Sequence, residues 1–197
     1  MKKKEIERKF LLKRLPLLIS VADKEDLDQL WIRQYYTPEG RYRAEYRITG
    51  RTFIHCVKTD PLEGGSKLAA VKDEEETIIT YNEFRSAISK ADRYLTKKRF
   101  AFHVGEVKWD IDVYDNMQLV TAEAEIPTPD FPLEIPDFIK DELIMEVTGV
   151  KAFNNWALAE PGKMSVTVDL IDETLEELKK AAQGLIRSGF NLFHTRS

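Results

Sequence analysis

Charged and apolar residues alternate along much of the chain, and this alternation predicts β-strands. In the stretch Glu106 to Tyr114, every second residue from Val107 to Val113 is apolar and the residues between them are charged. The stretch Val120 to Ile126 repeats the pattern. Because successive side chains of a strand point to opposite faces, both stretches predict strands with one apolar and one charged face. Weaker signals of the same kind predict further strands at about 4–12, 31–37, 41–48, 52–59, 67–80 and 94–104.

A few short helices are predicted between and after these strands. Thr80 and Glu83 have the spacing of a capping box, followed by apolar residues at helical intervals. Asp23 is suited to cap a short helix between Ser20 and Leu30, and Pro136 to the first turn of a helix that reaches about residue 145. An apolar stripe over 169–187 predicts a terminal helix.

The predicted strands are joined mostly by short turns, and short turns join antiparallel neighbours. The pattern therefore predicts an α+β chain with about eight strands in an antiparallel sheet that closes into a β-barrel, with flanking helices. Pro161 and Gly162 mark a boundary. We expect one domain over 1–160 and a C-terminal helical extension over 161–197, which packs on its own barrel or, as the less favoured alternative, forms a homodimer contact.

Composition narrows the class of protein. The 197 residues carry a net charge of −4, which argues against a generic nucleic-acid binder, because such proteins need basic patches to neutralise phosphates. Cys56 is the single cysteine, so an internal disulfide is excluded, and no apolar run is long enough to span a membrane. We expect a cytoplasmic protein with no membrane or nucleic-acid partner.

Charged residues at period two recur on six of the predicted strands. On any one strand a solvated face would explain them. For six strands together we favour a curled sheet whose lumen they line, since adjacent like charges cost free energy unless a ligand compensates them. The sets are Glu5, Glu7 and Lys9; Arg43, Glu45 and Arg47; Glu74 and Glu76; Lys97 and Arg99; Asp110 and Asp112; Glu123 and Glu125.

A lumen with both signs of charge suits a triphosphate held together with a divalent metal ion. Arginine and lysine bind phosphate oxygens, and carboxylates supply the hard oxygen ligands that Mg²⁺ prefers. Phosphoryl transfer needs mainly positioning and charge neutralisation from a protein. The residue types thus indicate phosphoryl chemistry.

The ordered motifs resemble the CYTH domain family, also called the triphosphate tunnel metalloenzymes. Glu5-Ile6-Glu7-Arg8-Lys9 is similar to the family's N-terminal Glu-x-Glu-x-Lys signature. The resemblance covers roughly residues 3–160. The further matching segments are Val57-Lys58, Lys72 to Glu76, Lys97 to Arg99, Asp110 to Tyr114, Glu123 to Glu125, Glu146 to Thr148, Phe153 to Asn155, and Leu158.

The resemblance implies an eight-stranded antiparallel tunnel that binds a triphosphate-containing small molecule with Mg²⁺ or Mn²⁺. It implies Glu7, Lys97 and Tyr36 as catalytic residues, with Tyr36 near Lys97. The implied metal ligands are Glu5, Glu7, Glu74, Glu76, Asp112, Glu123 and Glu125. The implied phosphate-binding residues are Lys9, Arg43, Arg47, Lys58, Lys72, Lys97 and Arg99.

Two positions depart from the family pattern. Glu45 replaces the first arginine of an expected Arg-x-Arg pair, for which Arg43 on the same face is a substitute. Lys72 stands where arginine is common, which keeps the charge but loses bidentate geometry.

The leading functional hypothesis is metal-dependent hydrolysis of inorganic tripolyphosphate or a small organic triphosphate. Adenylate cyclase and thiamine triphosphatase are alternatives within the family. A non-catalytic barrel that binds polyanions is the alternative from another class; the four carboxylates Glu5, Glu7, Glu123 and Glu125 favour catalysis over it.

Overall fold

A computed structural model of the chain describes residues 2–21, 27–59, 69–115 and 117–161. Eight strands follow one another around the sheet in the order β6-β2-β3-β4-β5-β1-β8-β7, and β7 pairs back with β6. All of these pairings are antiparallel, so the prediction of a closed eight-stranded antiparallel barrel is confirmed. The strands are β1 Lys2–Leu12, β2 Asp28–Thr37, β3 Gly40–Arg47, β4 Gly50–Thr59, β5 Ala70–Ile79, β6 Arg93–Val104, β7 Val107–Tyr114 and β8 Val120–Glu125.

Short helices and two small strands complete the described part of the chain. The helices are α1 Leu17–Val21, α2 Tyr81–Ile88, α3 Asp137–Lys140 and α4 Asn155–Leu158, with a 3₁₀ helix at Lys151–Phe153. Strand β9 (Leu143–Glu146) pairs with β1, and β10 (Glu160–Pro161) pairs with β6. None of the helices in these ranges is long and apolar enough to cross a membrane.

The barrel has its apolar faces outside and its charged faces inside. Trp109 and Ile111 lie on the outer face of β7 and are fully buried. They pack with Phe10 of β1 and Ile139 of α3. On another side, Phe84 of α2 packs against the outer faces of β2, β3 and β4. The surrounding helices and loops thus supply the apolar cover, and the period-two charges are left to face the lumen.

The capping box at the start of α2 is present as predicted. The Thr80 hydroxyl accepts a hydrogen bond from the Glu83 backbone N–H, and the Glu83 carboxylate accepts one from the Thr80 N–H at 2.7 Å. These two bonds satisfy donors at the first turn of the helix that the helix itself leaves unpaired.

Two predicted helices are wrong in part. Asp28–Leu30, expected at the end of a helix, opens strand β2, and residues 22–26 with Asp23 lie outside the described residues. The helix expected over 136–145 ends at Lys140, and Leu143–Glu146 forms β9 instead. Strand β5 stops pairing with β1 at Glu7, so the edge of β1 beyond it needs another partner for its backbone groups, which β9 supplies. The terminal helix predicted over 169–187 lies outside the described residues.

Candidate active site

The barrel encloses a charged cavity of about 460 Å³. Nine carboxylates and four basic side chains of the described residues line it, because residues two apart on each strand face the same side. The lining residues are Glu5, Glu7, Asp28, Leu30, Arg43, Glu45, Arg47, Glu74, Glu76, Arg99, Ala101, Lys108, Asp110, Glu123 and Glu125.

One end of the barrel is covered by the 3₁₀ helix and α4, and we call it the covered end. The Lys9 ammonium donates a hydrogen bond to the Phe153 carbonyl at 2.8 Å. The Tyr114 hydroxyl donates one to the Asn155 side-chain oxygen at 2.8 Å, and Ala159 packs beside Tyr114. These contacts place the 151–159 segment over the lumen at the ends of β1 and β7.

The other end, which we call the acidic end, holds the cavity rim. Asp28, Arg47, Glu76 and Lys108 lie there, and their side chains are 33–48% exposed. Two lysines, Lys9 and Lys97, lie towards the covered end instead, where they are buried. The charges inside the barrel are therefore distributed unevenly along its axis.

Glu7 is the lumen carboxylate with the least compensation. It makes no hydrogen bond and no ion pair with any described residue. Burial, together with the neighbouring charges of Glu123 and Glu5, raises the pKa of Glu7 to about 7. A half-buried carboxylate among like charges is the kind of group that a divalent cation stabilises.

The carboxylates on either side of Glu7 are bound to lysines. Glu5 forms an ion pair with Lys58, and Glu123 forms one with Lys9 at 2.9 Å. Although burial opposes ionisation, the charges of Lys9 and Arg99 hold the pKa of Glu123 well below its usual range. These lysines are the cations that a phosphate group would compete for.

Asp112 is fully buried in a polar cluster with Arg99 and Lys97. Arg99 donates to both oxygens of Asp112 at 2.7 Å, to Asp110 at 2.6 Å and to Glu123 at 3.1 Å. Lys97 donates to Asp112 at 2.5 Å. Both oxygens of Asp112 are thus taken by cations, which favours a positioning role for Asp112 over the predicted metal-ligand role.

A second cluster joins β3, β4 and β5. The Glu74 carboxylate accepts hydrogen bonds from Arg41 and from the Cys56 thiol, both at 2.8 Å. Burial opposes ionisation, yet the charges of Lys58 and Arg41 and the Cys56 hydrogen bond lower the pKa of Glu74 to about 2. Cys56, Glu74 and Glu76 have donor atoms within 4.8 Å of one another, but the Arg41 guanidinium already occupies this group.

Glu45 lies between the two arginines that flank it on β3. Its carboxylate is 2.8 Å from the Arg43 guanidinium and 2.8 Å from that of Arg47. Arg43 also contacts Glu76 at 3.0 Å, and Arg47 contacts Asp28 at 2.8 Å. Both arginines of this face are therefore bound between pairs of carboxylates.

Tyr36 is in the lumen, but the expected pair with Lys97 is not formed. The Tyr36 hydroxyl accepts a hydrogen bond from the Gln34 amide at 2.8 Å, whereas Lys97 donates to Asp112. The register explains this, because Lys97 is paired with Ile32, four residues from Tyr36 along β2. Burial raises the pKa of Tyr36 to about 12, so its hydroxyl keeps its proton.

The remaining predicted residues share the lumen face by strand position. Lys72 is directly opposite Glu5 across the β1–β5 pair, and Glu125 is opposite Glu7 across β1–β8. The sequence reasoning missed Arg41, Asp28 and Lys108. Arg41 lies two residues before Arg43 and Lys108 two residues before Asp110, so the alternation places both on the lumen face. Asp28 was missed because it lay in a segment predicted to be helical.

Comparison with solved structures supports the assignment of this fold. The inorganic triphosphatase NE1496 superposes with a TM-score of 0.50 and 25% sequence identity, covering 80% of this chain and 97% of that one. The resemblance to the triphosphate tunnel metalloenzymes predicted from the sequence is therefore confirmed at the level of the fold. No protein-family model and no curated protein sequence matches it.

Two further solved structures resemble this chain more weakly. A Bacillus halodurans protein provisionally described as an adenylate cyclase has a TM-score of 0.48 and 16% identity, covering 66% of this chain and 83% of that one. The PH1819 protein of Pyrococcus horikoshii has a TM-score of 0.47 and 13% identity, covering 70% and 82%. At these values neither likeness says anything about the activity of the tunnel.

Proposed function

We propose that the protein hydrolyses a phosphoric anhydride bond of inorganic tripolyphosphate, or of a small organic triphosphate, with Mg²⁺ or Mn²⁺ as cofactor. Water attacks a terminal phosphorus, and the bond between that phosphorus and the bridging oxygen breaks. The products are orthophosphate and a chain that is shorter by one phosphate. The observation that carries this proposal is the Glu7 carboxylate, which makes no ion pair with a described residue in a lumen that also holds buried lysines.

The donor set around Glu7 fits a hard divalent cation. Glu5, Glu7 and Glu123 would hold the ion, with Glu125 across the β1–β8 pair as a further oxygen donor. Among the described residues, Cys56, Glu74 and Glu76 are the group whose donor atoms already lie within 4.8 Å of one another, whereas Lys58 holds Glu5 and Lys9 holds Glu123. When bound, the ion supplies charge neutralisation and polarises the phosphoryl group.

The ion pairs inside the barrel explain how substrate and metal would enter together. Lys58, Lys9 and Arg99 each bind a carboxylate in the structure. Phosphate oxygens would accept hydrogen bonds from these cations and so release Glu5 and Glu123 for the cation. Nine lining carboxylates against four basic residues would repel a bare polyanion, which supports a metal-bound substrate and argues against a simple polyanion binder.

Lys97 and Tyr36 would act on the phosphate chain from the covered end. Lys97 keeps its orientation through Asp112. The Tyr36 hydroxyl accepts its hydrogen bond from Gln34, so its own proton is available to donate to a bridging or terminal phosphate oxygen. Lys72 completes the proposed set of phosphate ligands, whereas Glu45 holds Arg43 and Arg47. Glu74 and Glu76 are occupied by arginines.

The test is phosphate release from tripolyphosphate, ATP and thiamine triphosphate with Mg²⁺, Mn²⁺ or EDTA, with the ATP products analysed for pyrophosphate and cyclic AMP. We expect metal-dependent release from tripolyphosphate. Cyclic AMP with pyrophosphate would assign a cyclase instead, and preferential release from thiamine triphosphate would assign that substrate. Without any turnover, a rise in melting temperature with tripolyphosphate would indicate a binding protein.

A further inference from the structure

The two arginines of β3 that face the acidic end are already neutralised by this protein's own carboxylates. Glu45 is only 8% exposed, and its two oxygens contact Arg43 and Arg47 separately. Glu76 binds the first arginine and Asp28 the second, the latter through both the Nε and Nη2 groups of Arg47. A phosphate that reached this face would have to displace a carboxylate from each arginine.

The opposite wall of the acidic end is no more favourable to an anion. Lys108 contacts Asp110 at 3.0 Å and lies 3.9 Å from Glu125. Asp110 also binds Arg99. Carboxylates therefore outnumber the basic residues on both walls of this part of the cavity, and an additional phosphate would meet like charge.

Four further basic residues lie towards the covered end, and each of them contacts a single carboxylate or two: Lys9, Lys58, Lys97 and Arg41. Lys9 and Lys97 are buried there. Lys58 of β4 contacts Glu74, and Arg41 of β3 lies opposite Cys56 of β4. The 151–159 segment contacts Lys9 and Tyr114 and so covers the lumen beyond them, which would block a longer phosphate chain in that direction. Any extra length must project into the acidic end.

We propose that Glu45 determines substrate length: by holding Arg43 and Arg47 in neutral pairs, it restricts the tunnel to triphosphates and rejects longer linear polyphosphates. This inference rests on the proposed function and deepens it, since it assigns the substrate class as a triphosphate whose outer end carries no further anionic group. An arginine at this position would extend the basic surface to the acidic end, whereas Glu45 ends it.

The experiment compares inorganic tripolyphosphate with linear tetrapolyphosphate, with Mn²⁺ in excess. For the wild-type protein we expect kcat/KM and affinity by calorimetry to be at least about tenfold lower for tetrapolyphosphate. The Glu45→Gln variant should reduce this discrimination by about tenfold, and added salt should reduce it in the wild type, because screening weakens repulsion between exposed charges. Glu75→Gln, the same change on the outer face of β5, is the matched control and should leave the ratio unchanged.

Equal affinity of the wild type for the two chains would overturn the inference, as would an unchanged ratio in a folded Glu45→Gln variant. If that variant does not fold by circular dichroism, the wild-type ratio and its salt dependence still decide. Absence of hydrolysis with either chain would refute the proposed function alone, because the calorimetric ratio would still test the role of Glu45.

Discussion

The ammonium group of Lys97 lies 2.5 Å from the carboxylate of Asp112, and neither side chain has any exposure to solvent. Arg99 binds the same carboxylate through two nitrogens. Although burial opposes ionisation, the charges of Arg99 and Lys97 lower the pKa of Asp112. One carboxylate therefore orients two cations, and we expect its loss to lower both the stability of the protein and its affinity for phosphate.

Asp112→Asn should destabilise the protein strongly. The substitution leaves Lys97 without its carboxylate in a fully buried position, and removing one partner of a buried ion pair costs about 3–5 kcal/mol. Urea unfolding followed by tryptophan fluorescence measures this difference. If the free energy of unfolding changes by less than about 1 kcal/mol, the value typical of exposed pairs, the cluster is more hydrated than the structure indicates.

The matched control removes both charges together. Lys97→Met with Asp112→Leu leaves no uncompensated charge of the pair, while Arg99 keeps Asp110 and Glu123. Replacement of a buried pair by apolar residues is often nearly neutral, so the double variant should be more stable than Asp112→Asn. Activity should remain low in the double variant, because Lys97 is then absent.

The sequence predicted the barrel well because its strands alternate apolar residues on the outer face with charged residues on the inner face. In β7 the residues Trp109 and Ile111 alternate with Asp110 and Asp112, and this alternation alone gives both the strand and its two faces. Where the pattern was short, the prediction was wrong. Leu143–Glu146 is a strand because the edge of β1 needs a partner there, and that is a property of the whole sheet.

The lumen residues could be predicted from the sequence, but their partners could not. Period two places Asp112 and Arg43 on inner faces, yet a sequence does not say that the first is saturated by Lys97 and Arg99. Strand register decides such pairs, and register follows from turns and bulges distributed around the barrel. For the same reason the expected neighbours Tyr36 and Lys97 are four residues out of register.

Glu7→Gln should abolish metal-dependent hydrolysis while the fold is retained. Glutamine keeps the size of the side chain but removes the charge that a divalent cation would neutralise. We expect turnover to fall at least about a hundredfold, because even groups that only support a metal ligand contribute ten- to hundredfold. Phosphate release and the Mn²⁺-induced rise in melting temperature are the measurements, with Glu75→Gln as control; undiminished turnover would refute the proposed metal site.

The rate should fall at alkaline pH as Lys97 loses its proton. Burial and the neighbouring charge of Arg99 lower the pKa of Lys97 to about 8. Below this pH the side chain is charged and able to bind phosphate, and above it the charge is lost, so kcat/KM for tripolyphosphate should decrease from about pH 8 upwards. A profile of kcat/KM against pH measures this limb.

Lys97→Arg tests whether that limb belongs to Lys97. Arginine stays protonated throughout the accessible range, so a variant that retains activity should lose the decrease near pH 8. Lys98→Arg is the matched control, because Lys98 is the next residue and packs over Trp31 on the outer face of the barrel. If both variants keep the wild-type limb, another group controls it.

The thiol of Cys56 should be unreactive in the folded protein although it lies beside charged groups. Cys56 is 1% exposed, and burial raises its pKa to about 12, with the hydrogen bond to Glu74 acting in the same direction. Only about one thiol in ten thousand is then ionised at pH 8. Ellman's reagent should therefore label Cys56 in denaturant but not in the native state.

Glu74→Gln should accelerate native labelling, because Arg41 would remain beside a thiol that no longer donates to a carboxylate. Rapid labelling of the wild type would show that β4 opens readily to solvent, and an unchanged rate in Glu74→Gln would remove Glu74 as the cause of the protection.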